Sequence, residues 1–266
     1  MINFKLRELD KIVPWGAKPE LSLNWFGLTE GDLWLKFGCE TIYEYSKEAI
    51  KDWGRQSSQY NDYQIARFIE DFTELFDKIS ESIPEEIYNL TKDLKKFQSD
   101  AKDWIDLCEK GEDYNSDFNF EEYCKLTSWI YQRTLYSEHL VGGPHLSFFR
   151  RNDKVRITWD TEHILENGLS LWTAKNGSYE MDYSDFIDKI KDFGQSFFTE
   201  MNKQIELAIA KDWGDVEIDK LRIVEEHKER KEEFLSKLLL PENELVDKTD
   251  WADIEQLYNR MTNELK

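Results

Sequence analysis

Hydrophobic and polar positions alternate from the start of the chain. Ile2, Phe4 and Leu6 fall on one side and Asn3 and Lys5 on the other, the two-residue period of a β-strand. Pro14 and Gly16 interrupt it. Leu21, Leu23 and Trp25 then alternate with Ser22 and Asn24, so residues 21–37 predict a hairpin turning at GLTEGD, with ETIYEYS as a third strand. The period then lengthens. Ile65, Phe68, Ile69, Phe72, Leu75, Phe76 and Ile79 recur at three- and four-residue steps, a broad apolar stripe on a helix. Ser82, Pro84 and Glu85 mark a new helix start. Ile87, Leu90, Leu94, Phe97, Ala101, Trp104 and Cys108 trace a heptad seam, which calls for another helix packed alongside. Gly111 ends it, GEDYNSDFN reads as a polar loop, and FEEYCKLTSWIYQRTLYSEHL as a returning antiparallel helix. After VGGP the two-residue period resumes in HLSFFR and KVRITWD, which turn at Asn152-Asp153. It continues in GLSLWTA and SYEMDYS, joined across Lys175-Asn176-Gly177. Helices are expected over about residues 185–211, 216–240 up to Pro241, and 249–265.

Two stretches say nearly the same thing: YEYSKEAIKDWG at 43–54 and YSDFIDKIKDFG at 183–194. Trp34 precedes Ser46 by 12 positions, as Trp172 precedes Ser184, and Leu21-Leu23-Trp25 alternates like Val155-Ile157-Trp159. A duplication related by a pseudo-twofold accounts for this. So does convergence, since aromatic-rich hairpins followed by helices resemble one another. A third KDWG, Lys211 to Gly214, points to this tetrapeptide as a helix stop. The expected fold class is α+β: two related antiparallel strand-rich units at about 1–55 and 145–195, a helical hairpin inserted at about 60–140, and a helical C-terminus. Residues 1–215 form the α+β domain on this reading, with the helices of 216–266 packed on it. Two halves of one sheet and two packed sheets both satisfy the pattern.

PWG at 14–16 followed by LNWFGLTEGDLWLKFG, the YQIAR stretch from Tyr63 to Arg67, and FFRRNDKVRITW after a Gly-Pro together resemble an uncharacterised family of bacterial proteins. The likeness runs to about residue 200. It implies a bacterial origin and no particular chemistry.

Composition narrows the function classes. Against 35 Lys and Arg stand 55 Asp and Glu, a formal charge of −20. Such a field repels nucleic-acid phosphates and anionic membrane surfaces and draws in basic partners. Residues 60–125 hold 18 acidic and 8 basic side chains, half of the net charge in a quarter of the chain. Asp100, Asp103, Asp106 and Glu109 recur every three residues there and are the expected partner-binding row, with a solvated face as the bland reading. Three cysteines without a CxxC argue against a disulfide framework or a cysteine zinc site. No signal-peptide layout and no apolar run of membrane length occur, so a soluble, cytoplasmic protein is expected.

No motif specifies a reaction. His139 and His145 flank LVGGP, but no HExxH or HxH supplies further ligands, so neither metal nor cofactor is expected. WDTEH places Asp160, Glu162 and His163 together past a strand end, where they could do acid-base work or simply face solvent. The expectation is a non-enzymatic, protein-binding module. Its size and acidity bear a general likeness to immunity proteins that neutralise toxins. The competing class is a small-molecule-binding or enzymatic domain. It would use a tryptophan-lined pocket built from Trp25, Trp34, Trp159 and Trp172, with Arg150, Arg156, Asp160 and His163 as polar groups.

Overall fold

A computed structural model describes residues 1–54, 58–111, 115–239 and 248–266. Of the predicted loop GEDYNSDFN at 111–119, residues 112–114 lie outside the described residues, as does the helix stop at Leu240-Pro241; the loop's second half is helix instead, because the Asn115 side chain caps a helix that begins at Ser116. The fold is α+β with two antiparallel sheets. The first holds β1 (Ile2–Leu6), β2 (Gly31–Phe37) and β3 (Glu40–Ile42) in that order. The chain continues through α1 (Lys47–Asp52), α2 (Ile65–Glu74), α3 (Phe76–Ser80), α4 (Glu85–Leu90), α5 (Leu94–Cys108) and α6 (Ser116–Tyr131). The second sheet is β4 (Thr134–Tyr136), β5 (His145–Arg151), β6 (Lys154–Asp160) and β7 (Gly177–Asp182), again in sequence order. The helices α7 (Tyr183–Ala210), α8 (Lys220–Leu238) and α9 (Trp251–Glu264) follow.

The second sheet divides two hydrophobic cores. Leu146, Phe148, Val155 and Ile157 join the first core, with the first sheet, α2, α3, α7 and α8. Phe149 points the other way into the second core, formed by α4, α5, α6 and α9. Phe148 meets Phe72 at 5.2 Å between ring centroids, and Phe149 meets Trp129 at 5.4 Å. The heptad seam is realised within this second core: Ile87, Phe97, Ala101 and Trp104 are buried, although Asp93 caps a fresh helix at Leu94 rather than letting α4 continue. The two C-terminal helices separate, with α8 on the first core and α9 on the second.

Two predicted hairpins take other forms. Residues 21–25 make only isolated bridges, Ser22 to Trp15 and to Glu217, and β2 pairs with β1 instead. Local turn chemistry explains the change. Asn24 Oδ1 accepts the Gly27 N–H at 2.9 Å, and a helical turn forms at Gly27–Thr29. The alternation of Leu23 and Trp25 there reports burial, since both side chains are in the core. Likewise Asn176-Gly177 makes no hairpin. Lys175 O accepts the Trp159 indole N–H at 2.7 Å, and a Cβ on Gly177 would lie 2.9 Å from that ring. The dipeptide seats the chain against Trp159, and β7 pairs with β6.

The near-repeated peptides also part. In the first, Ser46 Oγ caps a six-residue helix by accepting Ala49 N–H at 3.0 Å, and Gly54 stops the chain at φ +59°. In the second, the helix starts at Tyr183 and runs through Gly194 to Ala210. Gly194 there lets α8 approach: a Cβ would meet Phe234 at 2.3 Å. Tyr45 and Trp172, expected at different places in each unit, pair with each other as an antiparallel bridge with stacked rings 4.6 Å apart. The duplication is not shown by this structure.

Arg133 and Glu81 form a buried ion pair, and Glu81 also accepts the Thr249 backbone N–H at 2.9 Å and its hydroxyl at 2.6 Å. Burial pulls the Arg133 guanidinium down to about 10, still high enough to hold its charge at neutral pH. Glu81→Ala strands that charge and is expected to cost about 3–5 kcal/mol. Denaturant unfolding of this variant beside Glu81→Leu/Arg133→Met checks it: the double variant should recover most of the loss, and equal losses would remove the buried charge as the cause.

Candidate functional site

Helix α5 carries the predicted acidic row. A three-residue step falls short of a helical turn, so Asp100, Asp103, Asp106 and Glu109 fan across about half of the helix circumference instead of lining one edge. Asp100 sits on a flank and pairs with Lys96 at 2.7 Å. Asp103, Asp106 and Glu109 are exposed, and Asp103 and Asp106 make no ion pair among the described residues. The row is interleaved with Lys102 and Lys110, so α5 alone is not an acidic face. What is acidic is the end where α5 gives way to α6. The described residues of 100–122 hold seven acidic and two basic side chains, a net of −5.

That end is also apolar. Leu107 is 44% exposed, Phe118 55% and Phe120 61%. The Asn115 side chain caps α6 by accepting Phe118 N–H at 3.2 Å, which places Phe118 in the first turn. Sequence reasoning missed these three because Phe118 reads as part of the polar loop, Phe120 as the first residue of a packed helix, and Leu107 lies off the α5 seam. Their signal was an apolar pair, Phe118 and Phe120, set among Asp117, Glu121 and Glu122 at a helix start.

The charges of α5 oppose its own dipole. Its first turn bears Lys95 and Lys96 and no acid within the helix, while its last turn bears Asp106 and no base. A helix favours the reverse, by roughly 0.3–1 kcal/mol per exposed charge.

The predicted pocket residues are scattered. Trp25 is fully buried, its N–H donating to His227 Nδ1 at 3.3 Å with Arg230 stacked 4.5 Å from the ring. Trp34 stacks on Tyr60 at 4.3 Å beside α7. Trp172 donates to Gly142 O at 2.6 Å. The Arg150 guanidinium lies 4.1 Å over Tyr183, and its Nε donates to Asn152 O at 2.9 Å. Arg156 is buried under Tyr88, donating to Thr91 Oγ1 and Glu180 Oε2, each at 2.7 Å. These are packing and neutralising roles. His163 packs on Gly142, where a Cβ would be 2.1 Å from its ring. Of the eight residues, Trp159 and Asp160 line one cleft together. The tryptophans went to core positions because their large rings join the sheets to the helices.

His139 faces Tyr63 at 4.8 Å and His145 faces Tyr136 at 4.9 Å. No group of three or more metal-ligating side chains occurs among the described residues. No described helix is long and apolar enough to cross a membrane.

His227 offers a titration test. Burial, and then Lys231, hold its pKa below the usual histidine range. As pH falls below about 6.5 the unfolded chain takes the proton first, so this group's contribution to stability is full above that pH and is lost below it. Thermal unfolding should therefore show a smaller drop between pH 7 and pH 5 in His227→Gln than in the parent chain; identical drops would acquit His227.

One protein-family model, described as a family of unknown function (DUF5984), matches residues 1–257. No curated protein and no solved structure matches the chain.

Proposed function

We infer that this chain, which belongs to the family of unknown function DUF5984, is a non-enzymatic module that binds a basic protein. The most concrete version is an immunity protein in a bacterial cytoplasm that neutralises a toxin by covering its basic active site.

One observation carries the reading: the loop end of the α5–α6 hairpin combines a net of −5 among its described residues with three exposed apolar side chains, Leu107, Phe118 and Phe120. Acidic groups there steer a cationic surface into contact, and the apolar groups supply the area that is buried once it arrives. The reversed dipole supports the same reading. Asp106 at the C-terminal turn of α5 works against the helix that holds it, and local rules are broken most often where a surface has another task. The overall charge of −20 extends the field beyond the contact.

Charge reversal tests this, and stability separates the two roles of the acids. Asp103→Lys/Asp106→Lys is expected to hold or raise the melting temperature, because it mends the dipole and relieves like-charge repulsion. The same variant should lose a basic partner that the parent chain captures from bacterial lysate at low salt. Phe118→Ala/Phe120→Ala should lose it too, at any salt. Capture that survives both pairs of substitutions, or a captured set without a basic protein, overturns the proposal.

A further inference from the structure

At the opposite end of α5 lies a cleft of about 320 Å³ between the α4–α5 junction and the second sheet. Its floor comes from strand register. Thr134 pairs with Ser147, Ser147 with Thr158, and Thr158 with Ser178, so one rung of hydroxyl residues crosses all four strands. Two positions along, Tyr136, His145 and Asp160 form a second rung on the same face. The neighbouring rung on the other side, Phe149 with Arg156, is covered by the second core. The helical cover thins there: Thr134 and Ser147 are still buried, whereas Thr158 is half-buried and Ser178 exposed.

The hydrogen bonding of this rung is incomplete in a patterned way. Thr134 Oγ1 donates to Ile130 O at 2.7 Å and therefore accepts from Ser147 Oγ, also at 2.7 Å. The Ser147 oxygen then accepts no hydrogen bond among the described residues. The Thr158 and Ser178 hydroxyls and the Gln98 amide make no side-chain hydrogen bond among the described residues. Asn176 accepts Thr161 N–H at 2.8 Å through its oxygen, which leaves its NH₂ to donate. The cleft thus offers neutral donors and acceptors that the protein does not use.

Charge narrows the ligand. Lys95 at the mouth is committed to Asp160 at 3.2 Å and Glu162 at 2.9 Å. The α5 N-terminus, which would welcome an anion, is already capped by Asp93, whose Oδ1 accepts Lys96 N–H at 3.0 Å. Apolar wall comes from Leu94, Ile130 and Trp159, with the Tyr136 ring at one side, among a larger number of polar residues. Lys92, exposed on the same wall, and Lys95 are matched in number by Asp93 and Asp160, so the lining carries no net positive charge to hold a phosphate.

We propose that this cleft binds a neutral saccharide, its ring hydroxyls exchanging hydrogen bonds with Thr158, Ser178, Gln98 and Asn176 along the rung. Strands repeat at about 4.8 Å, close to the separation of hydroxyls on opposite sides of a pyranose ring. A cleft at the small end of the usual ligand-pocket range suits one or two rings. The assignment is independent of the protein-binding reading, since the acidic end of the α5–α6 hairpin and this cleft lie at opposite ends of α5.

Calorimetric titration of the full chain with glucose, galactose, N-acetylglucosamine and maltose tests it. At least one sugar should bind saturably, and Thr158→Val and Ser178→Ala should each weaken that binding about tenfold, as loss of one hydrogen bond does. Both changes are nearly isosteric and the Ser178 site is exposed, so unchanged melting temperatures will certify the fold. Glucose 6-phosphate should bind no more tightly than glucose. No saturable binding by any of the four sugars, binding that both variants retain, or tighter binding of the phosphate overturns the proposal.

Discussion

The buried pair of Glu81 and Arg133 stands where the chain changes cores. Ile79 belongs to the first core and Ile83 to the second, so residue 81 is one crossing. Ile130 belongs to the second and Leu135 to the first, so residue 133 is the return. Thr249, held by the same Glu81 carboxylate, begins the last visit to the second core, which Trp251 enters with its ring 5.0 Å from the Arg133 guanidinium. Three segments far apart in sequence thus meet at one carboxylate. A charge so placed has few ways to be satisfied, and each wrong arrangement leaves it unpaired at a cost of several kcal/mol.

Given that clasp, the adjacent Phe148 and Phe149 do the rest. Successive strand residues face opposite ways, so two neighbouring rings, both nearly inaccessible, anchor both cores from one strand. A sheet covered on two faces must neutralise any polar group it carries. Arg156 does so through Thr91, Glu180 and the carbonyl of Tyr88, with the Tyr88 hydroxyl also donating to Glu180 at 2.7 Å. This network is why the basic cluster of FFRRNDKVR, conspicuous in an acidic chain, holds α4 to the sheet.

Long periodic segments were legible in the sequence. The stripe of α2 and α3, the seam of α5, the β5–β6 hairpin with Asn152 at φ +51°, and the α9 stripe all formed where their spacing placed them. Short aromatic segments were not. A two-residue alternation such as Leu23-Asn24-Trp25 records which side chains are buried, and it cannot tell a strand from a turn that an Asn24 side chain stabilises locally. Trp172 was misplaced for the same reason: its ring is buried through pairing with Tyr45, which lies in the other half of the chain. The tryptophan pocket failed because residue type predicts burial well and says little about which buried residues share a wall. The acidic row was visible, yet its three-residue spacing concealed that it winds around α5 and concentrates at one end.

Both candidate surfaces follow from how far α5 reaches across the sheet. Its seam residues Phe97, Ala101 and Trp104 bind it to the second core along the middle of its length. Beyond Trp104 toward α6 the seam continues only through the half-buried Cys108 while Leu107 turns outward, so apolar and acidic groups share the exposed side of the helix end. Before Phe97, Lys95 reaches down to Asp160 and Glu162 instead of a hydrophobic contact, and the strands beneath carry hydroxyls at the inward positions. Had those positions been valine, the sheet would bury them only by drawing the helix closer; as threonine and serine, they are stable against solvent or a solvent-like ligand. The polarity of one strand rung and the length of one apolar seam therefore set where this molecule is closed and where it is available.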